Sequence, residues 1–301
     1  MIIPTHLQIE SINGVCSARC SMCAFNLWAR KPHRMLLGAF ISILEKFLPY
    51  QDNLQCLSIQ GFGEPLLDQG LADKIHIAKA MEFKSVGFAT NCTELTETRS
   101  VELLNAGLDT IICSVDGFTK ETHESIRIGT NFEAVVKNIL RFMYIRQDYK
   151  AKVIIRFVRQ QANQHEWGRY YEFWMKRIDP AYGDAVLSLD VVDCDGKVAG
   201  YSEKDVLKDV QNPAYCEQLY NRMLILSNGD VALCCGDDAG KFNLGNVLTG
   251  EPMEIYNNEF FTRYREMIQD GRIAELELCN TCTIPRSMMV KDRVEPSAAA
   301  F

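Results

Sequence analysis

The sequence predicts an α/β protein built on a parallel sheet, and two observations lead to that prediction. Short apolar runs alternate six times with helical patterns between residues 7 and 192, and the loops that join them are short. Such alternation is typical of a parallel sheet covered by helices. Motifs of glycine and polar residues follow directly after the predicted strands, at the edge where the functional groups of parallel sheets collect.

The individual elements follow from hydrophobic periodicity and from residues that end helices. The predicted strands are residues 7–12, 57–59, 85–89, 110–115, 152–158 and 185–192. The predicted helices are residues 36–48, 73–83, 97–106, 132–144 and 166–177. Pro49 ends the first helix because proline cannot continue one, and Gly107 ends the third because glycine readily adopts the left-handed conformation found there. Right-handed connections are expected between the parallel strands.

Composition limits the classes of protein that this chain can be. A hydrophobic content of 47% in 301 residues is enough for one large core or two smaller ones. We find no uncharged apolar run of the roughly 18 residues that a membrane span needs, and no basic stretch followed by an apolar one that would mark a secretion signal. A formal charge of −7 without a long basic run argues against nucleic acid as a partner. We therefore expect a soluble, cytoplasmic protein.

The chain is rich in cysteine, with 12 in 301 residues. In a reducing compartment such residues are more often metal ligands or buried small side chains than disulfide partners. Cys56, Cys92, Cys113 and Cys194 lie in or beside predicted strands. We expect these four to pack in the core as small apolar residues.

Three other cysteines form a compact group on the loop after the first predicted strand. Cys16, Cys20 and Cys23 have the spacing C-x3-C-x2-C. A structural zinc site takes four protein ligands, and a cubane 4Fe–4S cluster takes one ligand for each iron. Three close thiolates would therefore leave one iron of a cubane open to an outside ligand. The spacing alone also permits a zinc knuckle or unrelated thiols.

The loops after the next three strands carry motifs of glycine and polar residues. They are Gly61-Phe62-Gly63-Glu64-Pro65, Thr90-Asn91-Cys92 and Ser114-Val115-Asp116-Gly117, with Arg127-Ile128-Gly129 further on. Together with the three-cysteine loop, and in this order, they resemble the motifs of the radical S-adenosylmethionine (radical SAM) superfamily. The resemblance extends from residue 7 to about residue 192. Cys92 departs from it, since the superfamily has glycine at that position.

The resemblance implies a fold, cofactors and an activity. The fold is a partial (β/α)6 TIM-like barrel. The cofactors are S-adenosyl-L-methionine (SAM) and a 4Fe–4S cluster held by Cys16, Cys20 and Cys23, whose open iron binds the amine and carboxylate of SAM. An electron from a flavodoxin- or ferredoxin-type reductant then cleaves SAM to methionine and a 5′-deoxyadenosyl radical.

The same resemblance implies a set of SAM-binding residues. Met22 stands where a superfamily residue packs on the adenine, and Arg127 is the expected partner of the SAM carboxylate. Glycine lets a backbone approach a ligand closely, so Gly61, Gly63 and the Glu64 carboxylate are expected at the SAM ammonium. The other residues expected to bind SAM are Asn91, Ser114 and Asp116.

The pattern changes after residue 201, and we expect two domains, residues 1–205 and residues 206–301. Helices are predicted at residues 202–210 and 260–270, and Asn228-Gly229 predicts a tight hairpin turn. This region contains five cysteines, namely Cys216, Cys234, Cys235, Cys279 and Cys282. Four of them could close a structural zinc site or hold a further 4Fe–4S cluster, and their chemistry alone does not decide between the two.

The C-terminal region resembles the SPASM iron–sulfur domain in its shortened form, called Twitch. The resemblance implies a small α+β domain with one auxiliary 4Fe–4S cluster on four ligands, which are Cys216, Cys234, Cys279 and Cys282. Cys234 and Cys235 compete for one ligand place, and the spacing from Gly229 favours Cys234. Cys235 is then a packed thiol or a donor of a hydrogen atom to a substrate radical.

Three reactions fit these resemblances. The cysteine offsets are similar to those of 2-deoxy-scyllo-inosamine dehydrogenase, so the expected reaction oxidises a secondary alcohol of a sugar- or aminocyclitol-type small molecule, with the auxiliary cluster as electron acceptor. Arg156 and Arg159 at the fifth strand, and Asp190 or Asp193 at the sixth, would hold or deprotonate the hydroxyl, or form ordinary salt bridges. The alternatives are epimerisation of a sugar, with Cys235 returning the hydrogen, and maturation of a precursor peptide by cross-linking or epimerisation.

Overall fold

The computed structural model describes residues 1–23, 30–191 and 214–282, and their largest feature is an eight-stranded sheet. The strands in chain order are β1 (His6–Ile9), β2 (Ile12–Asn13), β3 (Arg19–Cys20), β4 (His33–Arg34), β5 (Cys56–Ile59), β6 (Val86–Thr90), β7 (Thr110–Ser114), β8 (Arg127–Ile128), β9 (Lys152–Arg159), β10 (Ala185–Asp190), β11 (Arg222–Ile225) and β12 (Val231–Ala232). The sheet order is β10-β9-β7-β6-β5-β1-β11-β12. Neighbouring strands are parallel except β11 and β12, which are antiparallel. The predicted α/β class with a parallel sheet is confirmed.

Helices connect the parallel strands and also follow the last strand. They are α1 (Leu37–Phe47), α2 (Leu71–Ala80), α3 (Glu97–Asn105), α4 (Lys120–Ile126), α5 (Phe132–Ile145), α6 (Trp167–Met175), α7 (Glu217–Tyr220), α8 (Pro252–Tyr256) and α9 (Glu259–Gln269). Side-chain caps explain where several of them begin, because a cap accepts a hydrogen bond from one of the free N–H groups of the first turn. Thr96 caps α3, Asn131 caps α5 and Asn258 caps α9.

The two faces of the sheet differ in polarity. Successive side chains of a strand point to opposite faces, and Leu7 and Ile9 of β1 pack in the main apolar core. Gln8, between them, points to the other face. The register across the sheet puts Ser114 of β7 and Arg156 of β9 on that same face. We call it the polar face, defined by Gln8, Ser114 and Arg156.

The predicted first strand, residues 7–12, is wrong at its end. The chain leaves the sheet at Glu10, whose N–H still donates to the Ile225 carbonyl, while the Ser11 carbonyl accepts from the N–H of Met35. Residues 12 and 13 form β2, which pairs with β4 instead. The other predicted strands and helices differ from the observed ones by a few residues at their ends. Residue 192, Asp193, Cys194 and the predicted helix at 202–210 lie outside the described residues.

Three of the described helices, α4, α7 and α8, were not predicted, and all of them are short. The helix α4 has seven residues, most of them polar, and Thr119 caps it by accepting from the N–H of Thr122. So short a segment shows too little periodicity for a prediction from sequence.

The C-terminal part of the chain completes the sheet. β11 pairs in parallel with β1, so that His6 lies opposite Arg222. The predicted turn at Asn228-Gly229 connects β11 to β12, and Gly229 has a φ of +91°, which glycine adopts without strain. The predicted helix at 260–270 is α9. The division into domains at residue 205 stays a prediction, since that residue lies between the described parts. None of the described helices is long and apolar enough to cross a bilayer.

Candidate active site

The three-cysteine loop lies beside Arg127. Cys16 and Cys20 are half-buried and Cys23 is exposed, and Met22 between them is half-buried. The short strand β3 pairs with β8, which places Cys20 directly opposite Arg127. The Arg127 Nη1 donates to the Cys20 Sγ over 3.7 Å. The sequence motif at Arg127 is therefore held against the cysteine loop by backbone pairing.

Asn91, at the end of β6, supports the other side of this loop. Its Nδ2 donates to the Ser17 Oγ over 3.0 Å and lies 3.8 Å from the Cys16 Sγ. The N–H of Ala18 donates to the same sulfur over 3.4 Å. Burial raises the pKa of the Cys16 thiol, and the Ala18 N–H opposes that rise. Hydrogen bonds of this kind also tune the potential of a bound iron–sulfur cluster.

Both carboxylate oxygens of Glu64 accept hydrogen bonds from other groups of the protein. Its Oε1 accepts from the Thr90 Oγ1 over 2.6 Å and from the N–H of Leu66 over 3.1 Å, and its Oε2 accepts from the N–H of Asn91 over 2.9 Å. The side chain is buried, and this burial raises its pKa. Glu64 thus ties the loop after β5 to the end of β6. Its expected contact with a SAM ammonium stays a prediction.

The two glycines before Glu64 allow the loop to pack closely on the protein itself. A Cβ on Gly63 would lie 2.6 Å from the Ile12 carbonyl oxygen, and one on Gly61 would lie 2.5 Å from the Glu10 Cβ. Real Cβ atoms do not approach so closely, so both positions require glycine. Cys92, two residues beyond β6, has a φ of +62°. Few residues other than glycine adopt this conformation, which explains why the superfamily motif has glycine there.

Asp116 and Arg127 form a buried ion pair behind the cysteine loop. The Arg127 Nη2 lies 2.7 Å from the Asp116 Oδ2, and the Asp116 Oδ1 accepts from the N–H of Val158 over 2.7 Å. Burial disfavours the charged guanidinium, but Asp116 and then Cys20 hold the pKa of Arg127 above its usual value. The expected carboxylate partner of Arg127 was SAM. The structure supplies a protein carboxylate at one side of the guanidinium.

Arg156 is the half-buried end of this network on the polar face. Its Nη2 donates to the Ser114 Oγ over 2.7 Å, and its Nε is buried without a hydrogen-bond partner. Burial, and then the charge of Arg127, lower its pKa to about 10. No carboxylate forms an ion pair with Arg156 within the described residues. A guanidinium in this state is available to a ligand's oxygen atoms.

Arg159 and Asp190 are paired with each other. The Arg159 Nε donates to the Asp190 Oδ1 over 2.7 Å, across neighbouring strands β9 and β10. Both side chains are partly accessible, so the pair resembles an ordinary surface salt bridge. Arg159 therefore has a carboxylate partner, whereas Arg156 has none among the described residues, although the sequence predicts the same role for both.

The five C-terminal cysteines lie close enough to influence one another's charge. Cys216, Cys279 and Cys282 are buried, and Cys234 and Cys235 are half-buried. Burial, and neighbouring thiols that include Cys282, raise the pKa of Cys216 and of Cys279 to about 12. Burial also raises the pKa of Cys234 and of Cys235, and Arg222 opposes the rise at Cys235.

Both cysteine groups fit iron–sulfur clusters by the chemistry of their donors, because thiolates are the ligands that such clusters use. The described side chains contain no set of three or more that is already arranged around a single metal ion. A cubane spreads its ligands over four irons, so the ligand sulfurs stand further apart than around one ion.

Two family models match the chain. The model of the radical SAM superfamily matches residues 11–145, and that of SPASM, an iron-sulfur cluster-binding domain, matches residues 216–283. Radical SAM and SPASM domains are present in this chain. The expected binding of SAM, of a 4Fe–4S cluster and of metal is thereby confirmed at the level of the domains. The matches include all seven cysteines predicted as cluster ligands.

Curated relatives match only part of the chain. A tungsten-containing aldehyde ferredoxin oxidoreductase cofactor-modifying protein of Pyrococcus furiosus is 30% identical over 111 residues, which are 37% of this chain and 30% of that protein. A probable GTP 3′,8-cyclase of Methanococcus maripaludis is 30% identical over 131 residues, 43% of this chain and 42% of that protein. The chain thus spans less than half the length of these relatives.

Solved structures share the fold over most of the chain. BtrN in complex with AdoMet and 2-DOIA has a TM-score of 0.60 at 18% identity and covers 93% of both chains. The enzyme anSMEcpe with AdoMet and the Cp18Cys peptide has a TM-score of 0.68 at 16% identity, over 89% of this chain and 84% of that one. Streptococcus suis SuiB bound to precursor peptide SuiA has a TM-score of 0.64 at 14% identity, over 95% of this chain and 71% of that one. At these identities the likeness shows the fold, a partial barrel with a SPASM C-terminal domain.

Some residues of the site were missed from the sequence. Ser17 bonds to Asn91, and Thr90 bonds to Glu64. Both stand inside or beside the motifs described above. Glu10 and Arg30 form a buried ion pair beside the same loops. The one available signal was the charge of Glu10 directly at the end of an apolar strand, where a buried carboxylate requires partners.

Proposed function

We propose that this chain is a radical SAM oxidoreductase that removes two hydrogens from a secondary alcohol of a sugar- or aminocyclitol-type small molecule. The observation that carries the reaction type is Arg156, a half-buried arginine with a buried Nε and no carboxylate partner among the described residues, joined to Ser114 on the polar face. When bound, SAM and its cluster supply a 5′-deoxyadenosyl radical that takes a hydrogen atom, and the auxiliary cluster supplies an electron acceptor.

The residues of the chain would orient the substrate and manage its proton. Arg156 donates hydrogen bonds to the carbinol oxygen and favours its anionic form, and Ser114 fixes the guanidinium plane. The oxidation balances when the carbinol loses one hydrogen atom from carbon, one proton from oxygen and one electron, leaving a ketone. The proton passes to water, because Arg156, with a pKa of about 10, stays protonated near neutral pH and acts only as a hydrogen-bond donor.

The proposed ligands are Cys16, Cys20 and Cys23 for the SAM cluster and Cys216, Cys234, Cys279 and Cys282 for the auxiliary one. The proposed SAM contacts are Arg127, Asn91 and the backbone at Gly61 and Gly63. Asp116 and Glu64 support these contacts through the bonds described above. The proposed reductant is a flavodoxin or ferredoxin.

The experiment uses anaerobically reconstituted protein with dithionite, SAM and a panel of sugars and aminocyclitols. We expect about eight irons and eight sulfides per chain, because two cubanes contain that number, and a product two mass units lighter than the substrate. Arg156→Lys should retain SAM cleavage and lose most of the ketone. A product of unchanged mass that gains one deuterium from heavy water would instead identify an epimerase with Cys235 as hydrogen donor, and four irons with one zinc would contradict the auxiliary cluster.

A second candidate, maturation of a precursor peptide, is favoured by two of the solved neighbours. The SuiB structure contains a bound precursor peptide, and the anSMEcpe structure contains a bound peptide. BtrN, which aligns over a larger share of its own chain than either, was solved with the small molecule 2-DOIA. A peptide product that carries a new cross-link, with no turnover of any small alcohol, would select the second candidate.

A further inference from the structure

An ion pair that is largely buried joins segments beside the N-terminal cysteine loop to the C-terminal cysteine region. Glu10 follows β1 and is fully buried. Its Oε1 accepts from the Arg30 Nη2 over 2.7 Å, and its Oε2 accepts from the Arg30 Nη1 over 2.8 Å. This two-bond arrangement is the strong, directional form of an arginine–carboxylate pair. Arg30 comes seven residues after Cys23 in the chain.

The carboxylate of Glu10 also gathers backbone groups from two other segments. Its Oε1 accepts from the N–H of Phe62 over 2.9 Å, in the loop that carries Gly61 and Gly63. Its Oε2 accepts from the N–H of Ser227 over 2.9 Å, just beyond β11. Each oxygen therefore has one bond from Arg30 and one from a loop.

Arg30 itself contacts the segment that follows the adjacent residues Cys234 and Cys235. Its Nε donates to the carbonyl of Asp238 over 2.8 Å, and its guanidinium lies 5.3 Å from the centre of the Phe62 ring. Asp238 is three residues after Cys235. Together these partners fix one orientation of the Arg30 side chain, because a planar guanidinium presents its donors in a rigid fork.

We propose that Glu10 and Arg30 are positioning residues that fix the distance between the two cysteine groups, and so control how efficiently the substrate's electron reaches the auxiliary cluster. The proposal rests on the proposed function for its two clusters. Neither residue touches the reacting atoms. Glu10 holds the SAM-side loop through Phe62 and the C-terminal region through Ser227, and Arg30 adds the bond to Asp238.

A matched control pair exists elsewhere in the chain. Arg146 and Asp184 are also buried and joined by two bonds. Asp184 likewise accepts from two backbone N–H groups, those of Val153 and Asp179, and Arg146 donates to the Ala151 carbonyl. This pair lies at the amino-terminal ends of β9 and β10, whereas the cysteine loop follows the carboxyl end of β1. It has the same chemistry without the link between cysteine groups.

The experiment compares Arg30→Lys with Arg146→Lys in the cluster-loaded full chain. Lysine keeps the charge but lacks the fork, so both variants should lower the urea midpoint of unfolding. We expect Arg30→Lys to keep its iron and its SAM cleavage, while the ketone formed per 5′-deoxyadenosine falls about tenfold, since a misplacement of about 1 Å in an active site can cost up to about 100-fold. Arg146→Lys should keep the wild-type ratio.

Two readouts do not depend on turnover. The reduced clusters relax each other magnetically, so the microwave-power saturation of their electron paramagnetic resonance should change in Arg30→Lys and not in Arg146→Lys. In the cluster-free chain, hydrogen exchange at the N–H groups of Phe62 and Ser227 should accelerate together in Arg30→Lys.

Identical ratios and saturation in the two variants would overturn the proposal and leave Glu10 and Arg30 as an ordinary buried ion pair. If the wild type does not cleave SAM at all, the proposed function fails by itself. The positioning role is then judged by hydrogen exchange: joint acceleration at Phe62 and Ser227 supports it, and unchanged exchange overturns it.

Discussion

The two cysteine groups are held by different kinds of interaction. The N-terminal loop keeps Cys23 exposed and Cys16 and Cys20 half-buried, with polar side chains such as Asn91 and Arg127 directed at the sulfurs. The C-terminal group places Cys216 and Cys279 in the main apolar core, with raised pKa values. The first arrangement leaves its thiols accessible to an outside molecule, and the second encloses most of its thiols.

The largest expected effect comes from breaking the accessible group. Cys20→Ala should lose about four of about eight irons per chain, because a cubane contains four, and SAM cleavage should fall to background. Iron analysis and 5′-deoxyadenosine formation measure both. Cys56→Ala, which removes a buried thiol of β5, is the control and should keep its iron and its activity. Full SAM cleavage by Cys20→Ala would contradict the assignment of the loop.

The enclosed group should behave differently when it is broken. Cys234→Ala should lose about four irons and the ketone product, yet retain SAM cleavage, since the N-terminal cluster is untouched. Its neighbour Cys235 provides the comparison, and Cys235→Ala should retain all its iron. If Cys235→Ala loses the iron and Cys234→Ala retains it, Cys235 is the ligand.

The enclosed thiols should contribute to the pH dependence of the stability of the cluster-free protein above neutral pH. Burial raises the pKa of Cys216 and of Cys279 from 9.0 to about 12. The folded chain therefore keeps protons that the unfolded chain releases between about pH 9 and 12. The contribution of these two thiols to the free energy of unfolding should be constant below about pH 8 and fall as the pH rises, by on the order of 1 kcal/mol per thiol between pH 8 and 10.

Urea unfolding at the two pH values measures this loss. Cys279→Ala should reduce this loss of unfolding free energy by the contribution of one thiol. Cys23→Ala, at an exposed position in the N-terminal loop, should leave the slope with pH unchanged. An equal slope in all three proteins would show that burial of the C-terminal thiols has no such effect.

The smallest effect is expected from the polar support of the accessible loop. Ser17→Ala removes the acceptor of the 3.0 Å bond from Asn91, and a lost hydrogen bond of this kind costs about 1 kcal/mol. The KM for SAM should rise about fivefold, with kcat little changed, because Asn91 still has the Cys16 sulfur as a partner. Ser21→Ala, at an exposed position on the same loop, should leave the KM unchanged. Equal KM values would show that Ser17 does not support SAM binding.

Local features of the fold could be predicted from the sequence, and distant pairings could not. The strands and the longer helices follow from periodicity that lies within a few residues. The pairing of β1 with β11 joins segments far apart in the chain, and nothing in the sequence of His6 or Arg222 specifies the partner. The break of the first strand at Glu10 was missed for the same reason, since the partners of its carboxylate lie at residues 30, 62 and 227.

The site shows the same limit. Motif order placed Glu64, Asp116 and Arg127 in one region, and the structure brings them there. The sequence did not reveal that the Glu64 and Asp116 carboxylates are satisfied by protein donors. A motif gives the type of side chain at a strand end, whereas its hydrogen-bond partner depends on the packing of several segments.

The place of β1 between β5 and β11 also has a consequence for biosynthesis. β1 leaves the ribosome well before β11, which emerges only after the chain has passed residue 222. Until then one flank of β1 presents unpaired N–H and C=O groups, which readily pair with strands of other molecules. Folding of this sheet therefore depends on β11, and a nascent chain arrested before residue 222 is prone to aggregate.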